Sequence, residues 1–215
     1  PLIVHVASRD DVQDVISNLP QHAQLLMREF WPGPLSLVLP KHPRIPHFTT
    51  ASLDTVVVRC PDHPTAQALL RAAAVPIAAP SANRSGNVSP TTAEHARQDL
   101  AGVVSIILDD GPVPGGLEST VVDCTTTVPT ILRPGLVTHT MLETAIGTVI
   151  SSTDQPGTPT APGMKYRHYA PQAPVTLLTS NNPNEINAHL TRLRSKELLT
   201  NQSGVIHRTP LETSP

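Results

Sequence analysis

The stretch Thr55-Val56-Val57-Val58-Arg59-Cys60-Pro61-Asp62-His63-Pro64 decides how this chain reads. Three consecutive valines predict a buried strand over Thr55–Arg59, because β-branched side chains favour extended backbone and an unbroken apolar run needs cover on both faces. Pro61-Asp62-His63-Pro64 stops that strand and opens a helix through Ala74, proline being tolerated in a first helical turn. Pro76–Ala79 then begins another buried strand. Strand, helix and strand in immediate succession are the unit of an α/β sheet.

The alternation extends to both sides. Leu2–Val6 reads as a strand. Ser8 and Asp11 form a loose capping box, and Val12, Val15, Ile16 and Leu19 predict a helix that Pro20 ends. Ala23, Leu26, Met27 and Phe30 predict a second helix, stopped by Trp31-Pro32-Gly33-Pro34, and Leu35–Leu39 is the next strand. Beyond the polar loop Pro80–Asn87, Ser89-Pro90 predicts a helix start with a hydroxyl cap. Val103–Leu108 reads as a strand ending in Asp109-Asp110-Gly111, followed by strands over Ser119–Cys124 and Thr130–Leu132. Thr138–Ile146, closed by Gly147, is a short helix. Residues 1–150 thus form one expected domain, and 151–174, rich in Pro, Gly, Ser and Thr at its start, a linker. Val175–Thr179, Asn184–Lys196 and Gly204–His207 read as strand, helix and strand, the start of a small C-terminal α/β domain over 175–215.

Composition removes several classes of function. With 15 Lys+Arg against 17 Asp+Glu, the 215-residue chain carries a net charge of −2, which argues against a broad nucleic-acid or membrane footprint. Aromatic residues at 2% leave few stacking platforms for single-stranded RNA. Cys60 and Cys124 are too few for a disulfide scaffold or zinc site, and read as buried thiols of a cytoplasmic protein. No apolar run approaches the length of a membrane helix.

Polar residues gather where strands end: Arg59, then Ser81 and Asn83, then Ser119-Thr120 after Gly115-Gly116, then Arg133 before Pro134-Gly135. Open α/β sheets bind ligands at strand ends. Two arginines and several hydroxyls without a dominant carboxylate pair suit an anion, phosphate or carboxylate, since a guanidinium grips either with a two-pronged fork. Taken singly, each residue also has a structural reading. Ser81-Ala82-Asn83 is a capped turn, Arg59 and Arg133 are partners of Asp54 and Asp123, His5 is a core histidine, and Asp109-Asp110-Gly111 is a turn, with magnesium binding by its paired aspartates as the alternative. The Walker loop, the nucleophile elbow and the zincin His-Glu-x-x-His pair are all missing.

As an ordered set, the segments Pro1-Leu2-Ile3-Val4-His5-Val6, Trp31-Pro32-Gly33-Pro34, Val58-Arg59-Cys60-Pro61-Asp62-His63, Ala79-Pro80-Ser81-Ala82-Asn83-Arg84-Ser85-Gly86, Ser89-Pro90-Thr91-Thr92, Glu118-Ser119-Thr120-Val121-Val122-Asp123 and Arg133-Pro134-Gly135 closely resemble the L-threonylcarbamoyladenylate synthase family. The likeness runs almost continuously to about residue 150. Ala161-Pro162-Gly163-Met164-Lys165-Tyr166-Arg167-His168-Tyr169-Ala170-Pro171 resembles the linker of its long, two-domain form. The resemblance implies a twisted mixed sheet flanked by helices around an open concave cavity. It implies an enzyme that joins L-threonine, bicarbonate and ATP into threonylcarbamoyl-AMP and pyrophosphate, with Mg2+ on the ATP, feeding the machinery that makes threonylcarbamoyladenosine in tRNA. It allots His5, Arg59, the Ala79 backbone and Ser119 to L-threonine, and Thr55, Ser81, Asn83, Ser89, Arg133 and Tyr166 (Tyr169 as the alternative) to ATP. Tyr166 falls in a segment expected to close over the nucleotide as a lid, or to dock against the second domain. Double-stranded RNA binding is a further expectation of the family that the charge and low aromatic content weaken. The family's Lys-x-Arg segment, which faces the triphosphate, would precede Pro1, so the chain reads as a piece of a longer protein. A non-catalytic nucleotide- or RNA-binding relative, or an inactive fragment, is the rival reading.

Overall fold

The computed structural model describes residues 1–151 and 182–195. Contacts divide the chain into two units, 1–172 and 173–215.

In the first unit, seven strands make one mixed sheet. They are β1 (Ile3–His5), β2 (Leu35–Pro40), β3 (Thr55–Arg59), β4 (Ile77–Ala79), β5 (Thr120–Asp123), β6 (Thr130–Arg133) and β7 (Ile150–Ser151). Their order is β4-β1-β3-β2-β5-β6-β7. Pairs β1–β3, β2–β5 and β6–β7 run parallel, and β1–β4, β2–β3 and β5–β6 antiparallel. Four helices punctuate the strands: α1 (Gln21–Phe30), α2 (Pro64–Ala73), α3 (Ala93–Leu100) and α4 (His139–Ile146).

Side-chain alternation splits the apolar residues between two faces. Val4, Val56, Val58, Leu35, Leu37, Leu39 and Val122 join Ala23, Leu26 and Met27 of α1 and Leu142 of α4 in the main core. Each fully buried leucine there contributes about 1.5–3 kcal/mol of transfer free energy. The alternate positions of the same strands, Val57, Val38 and Val121 with Ile3 and Leu132, form only a small second cluster. The second face therefore carries a thin apolar floor, and polar positions lie on it beside that floor.

Several expectations are corrected. The Ser8–Asp11 capping box does form, with Asp11 Oδ2 accepting from the Ser8 N–H at 2.8 Å and Ser8 Oγ from the Asp11 N–H at 3.3 Å. It starts only a 3₁₀ turn, Asp10–Asp14, and not a helix to Leu19. Ile16 instead makes an antiparallel bridge to Lys41, the Ser17 N–H donates to Pro40 O and the His42 N–H to Val15 O, so the chain is drawn out as an extension of β2. Likewise Ser89 caps nothing, because its hydroxyl goes to Glu118. Helix α3 starts later, where Thr92 Oγ1 accepts from the His95 N–H at 3.3 Å.

β4 is an edge strand with Ala78 exposed, not a buried one. Val103–Leu108 is not a strand: it has no ladder partner among the described residues, and Val103 and Ile106 are 72% and 78% exposed. Its β-branched composition cannot hold extended structure without a neighbour to close the backbone hydrogen bonds. Asp109-Asp110-Gly111 is a turn, with Asp109 Oδ1 accepting from the Gly111 N–H at 3.0 Å.

In the second unit the described element is α5 (Pro183–Ser195), opened by Asn182, whose Oδ1 accepts from the Asn184 N–H at 3.0 Å. The strands expected at 175–179 and 204–207, and the linker with Tyr166 and Tyr169, lie outside the described residues.

Candidate ligand site at the strand ends

Register assembles the site. His5 pairs with Arg59 across β1–β3, and Arg59 with Ser36 across β3–β2. Paired positions share a face, so His5, Arg59 and Ser36 form a polar row over three adjacent strands, on the thinly covered side of the sheet. The row lies at the carboxyl ends of β1 and β3 and the start of β2. Arg133 ends β6 beside Val121 of β5, which in turn pairs with Ser36.

Hydrogen bonds tie this row to the chain entering β5. Arg133 donates from Nε and Nη2 to Ser119 O at 3.1 and 2.9 Å, and from Nη2 to Ser119 Oγ at 3.1 Å. Ser119 Oγ lies 2.8 Å from Ser36 Oγ, and both residues are buried. Arg59 donates from Nε to Gly33 O at 3.1 Å, while the Gly33 N–H donates to Cys60 O. The turn Trp31-Pro32-Gly33-Pro34 thereby fixes the guanidinium through its inner nitrogen. The terminal nitrogens of Arg59 have no hydrogen-bond or ion-pair partner among the described residues. A two-pronged donor is thus presented unspent.

Neither arginine pairs with the aspartate that the sequence offers it. Asp123 accepts from Thr125, and Asp54 makes no side-chain bond to Arg59. Burial lowers the pKa of Arg59, nearby Asp62 raises it, and the positive charge of Arg133 lowers it further. Both arginines remain cationic, as guanidinium does throughout the biological pH range. Two cations within mutual electrostatic reach, without a carboxylate in contact with Arg59 among the described residues, suit an anion.

The remaining candidates lie on β3, on β4 and in the loop beyond it, without a hydrogen bond to Arg59 or Arg133 among the described residues. Thr55 opens β3 on the face of Arg59, roughly 13 Å along the strand at about 3.3 Å per residue. Ala79 ends β4 opposite Ile3. In the loop beyond it, Ser81 Oγ donates to Asn83 Oδ1, and Asn83 Nδ2 donates to Arg84 O at 2.9 Å and Asn87 O at 3.0 Å. The Asn83 amide therefore shapes its own loop, and Asp99 of α3 anchors it from below through the Arg84 N–H and Asn87 Nδ2. Ser89 Oγ donates to Glu118 Oε1 at 2.7 Å, which joins that loop to the residue before Ser119. Sequence reasoning missed Ser36 and did not single out Glu118. The available signal for Ser36 was a lone hydroxyl inside the apolar run Leu35–Leu39. Cys60 and Cys124 are buried free thiols, as expected.

The His5 imidazole is pushed toward its neutral form. Burial lowers its pKa first and the Arg59 charge adds to that, while hydrogen bonding with the backbone of Ile77 and Ile3 opposes without cancelling. The folded pKa lies below the ordinary 6.5, so the unfolded chain binds more protons between the two values and stability is lost as pH falls below about 6.5. His5→Gln, which cannot titrate, is expected to flatten that loss. Urea unfolding between about pH 7 and 5 measures it, and parallel stability curves for the two proteins would exclude His5 as the cause.

Similarity to known proteins agrees with this architecture. Residues 1–135 match the family described as telomere recombination, built on Sua5, YciO and YrdC, and residues 137–213 match the threonylcarbamoyl-AMP synthase C-terminal domain. The threonylcarbamoyl-AMP synthase of Bacillus subtilis (strain 168) is 48% identical over 181 residues, 82% of this chain and 52% of that protein. That of Pyrococcus abyssi is 45% identical over 182 residues, 83% of this chain and 54% of that one. The chain thus spans about half the length of these curated relatives. The crystal structure of P. abyssi Sua5 complexed with L-threonine superposes with a TM-score of 0.86 at 41% identity, over 92% of this chain and 59% of that one. The mixed sheet, the polar row at its strand ends and these matches together place the chain in the threonylcarbamoyl-AMP synthase (Sua5/YciO/YrdC) family.

Proposed function

We propose that the protein containing this chain makes threonylcarbamoyl-AMP and pyrophosphate from L-threonine, bicarbonate and ATP, supplying the cytoplasmic machinery that modifies tRNA with threonylcarbamoyladenosine. The observation that carries this is the unspent fork of Arg59 beside the Arg133–Ser119 pair, in a fold whose relative was crystallised with L-threonine.

In this reading Arg59 takes the threonine carboxylate, with Ser119 and the Ala79 backbone fixing the rest of the amino acid. A neutral His5 holds the amino end without repelling it. The threonine nitrogen forms a C–N bond to bicarbonate, with loss of water, giving a carbamate. A carbamate oxygen then attacks the α-phosphorus of ATP. The bond from that phosphorus to the bridging oxygen breaks and pyrophosphate leaves. No side chain becomes covalently attached. The protein's share is to align two reactants and neutralise charge.

Arg133 and the hydroxyls of Thr55, Ser81 and Ser89 serve the nucleotide, with Asn83 shaping the loop that presents Ser81. Magnesium would arrive with ATP as part of the substrate and would supply charge neutralisation on the triphosphate; the described residues contain no cluster of three or more His, Cys, Asp or Glu suited to a metal.

The test is pyrophosphate release by the full-length protein. It is expected only when threonine, bicarbonate and ATP are all present. Release that ignores threonine would overturn the reaction, and ligand binding without release would leave a non-catalytic binding protein.

A further inference from the structure

We propose that Ser36 is a positioning residue that makes the Ser119 hydroxyl a committed hydrogen-bond donor to the bound amino acid. The proposal deepens the reading above and rests on it.

A hydroxyl has one proton and two lone pairs. At Ser119 Oγ one lone pair is taken by Nη2–H of Arg133, at 3.1 Å, since a guanidinium only donates. Among the described residues one more polar atom lies within reach of Ser119 Oγ, the Ser36 hydroxyl at 2.8 Å, and a single proton occupies the line between them. Two arrangements are available. If Ser119 donated to Ser36, the Ser36 proton would be stranded, because Ser36 is fully buried and its side chain has no second partner among the described residues. A stranded buried donor is the costly outcome. If Ser36 donates to Ser119, the Ser36 proton is satisfied and both Ser119 lone pairs are filled. The Ser119 proton is then left without a protein acceptor among the described residues.

The second arrangement leaves Ser119 able to donate and unable to accept. Its proton rotates about the Cβ–Oγ bond into the one direction not already used. What it reads is therefore an oxygen acceptor on the ligand, beside the cations of Arg59 and Arg133. Ser36 is also locked: it is the cross-strand partner of Arg59 and of Val121, so it cannot drift without breaking the ladder. A buried polar side chain at the start of an otherwise apolar strand is explained by this relay.

The test uses the full-length protein and L-threonine titrated by calorimetry, with ATP titrated separately and thermal melting as a fold control. Ser36→Ala removes the donor and no bulk. It is expected to weaken threonine about tenfold, with ATP affinity within twofold and an unchanged melting profile. Ser36→Thr keeps the hydroxyl and is expected to recover threonine affinity to within about threefold. Unchanged threonine affinity in Ser36→Ala overturns the proposal. So does a parallel fall in threonine affinity, ATP affinity and melting temperature, which would make Ser36 merely structural. Failure of Ser36→Thr to recover affinity in a protein that melts normally would also overturn it. If the unsubstituted protein binds no threonine, the functional reading fails and this inference with it.

Discussion

Replacing Arg59 by alanine in the full-length protein is expected to weaken L-threonine about a hundredfold while leaving ATP affinity within about threefold. The guanidinium is fixed through Nε on Gly33 O, and its terminal nitrogens are uncommitted among the described residues. A hydrogen bond to a charged group contributes about 1.5–3 kcal/mol, and a fork makes two of them to one carboxylate. Every 1.4 kcal/mol is tenfold, which sets the expected loss. Arg59→Lys keeps the charge but not the fork, so it is expected to recover only part of the affinity. Calorimetry with each ligand separates the cases. Equal losses for threonine and ATP would assign Arg59 to the turn Trp31–Pro34 and not to a substrate.

Much of this architecture was legible because short apolar runs bounded by proline leave few alternatives. Leu35–Leu39, Thr55–Arg59 and the helix opened by Pro64 were readable for that reason. Failures occurred where a local signal was outbid by a distant partner. The capping box at Ser8 formed, yet Ile16 bridged to Lys41 and the helix ended after one turn. The Ser89 hydroxyl has the local context of a cap, yet Glu118 takes it. Val103–Leu108 has the composition of a strand and no neighbour to pair with among the described residues. The site divides in the same way. Arg59 and Arg133 could be suspected from their places at strand ends, which is a local property. That Arg59 stands in line with Ser36 depends on the β3–β2 register, and the β1–β3 register adds His5 to that row. Pairings between strands so far apart in sequence are not written in either strand alone.

Gly135→Ala is expected to damage stability and threonine binding together, because at this position fold and site share one backbone contact. A Cβ at Gly135 would lie 2.5 Å from both Glu118 O and Thr120 N, and 2.9 Å from the carbonyl carbon of Ser119. Those are main-chain atoms, so no rotamer change relieves the clash and the segment entering β5 must move. That segment is held from several sides: Ser119 O accepts from Arg133, the Thr120 N–H donates to Pro34 O, and Thr120 Oγ1 donates to Val137 O at 2.7 Å. Overpacking of this kind costs about 1–3 kcal/mol. Any shift also carries the Ser119 hydroxyl away from Ser36 and Arg133, so threonine affinity is expected to fall more than tenfold. Gly111→Ala is the control. Its φ of +85° disfavours a side chain, but nothing lies within 4 Å of the added carbon, so it is expected to cost about 1 kcal/mol and leave both ligands' affinities intact. Urea unfolding and calorimetry on the two variants of the full-length protein decide the matter. A Gly135→Ala protein that unfolds earlier but binds threonine normally would show that the lead-in to β5 supports the sheet without setting the site.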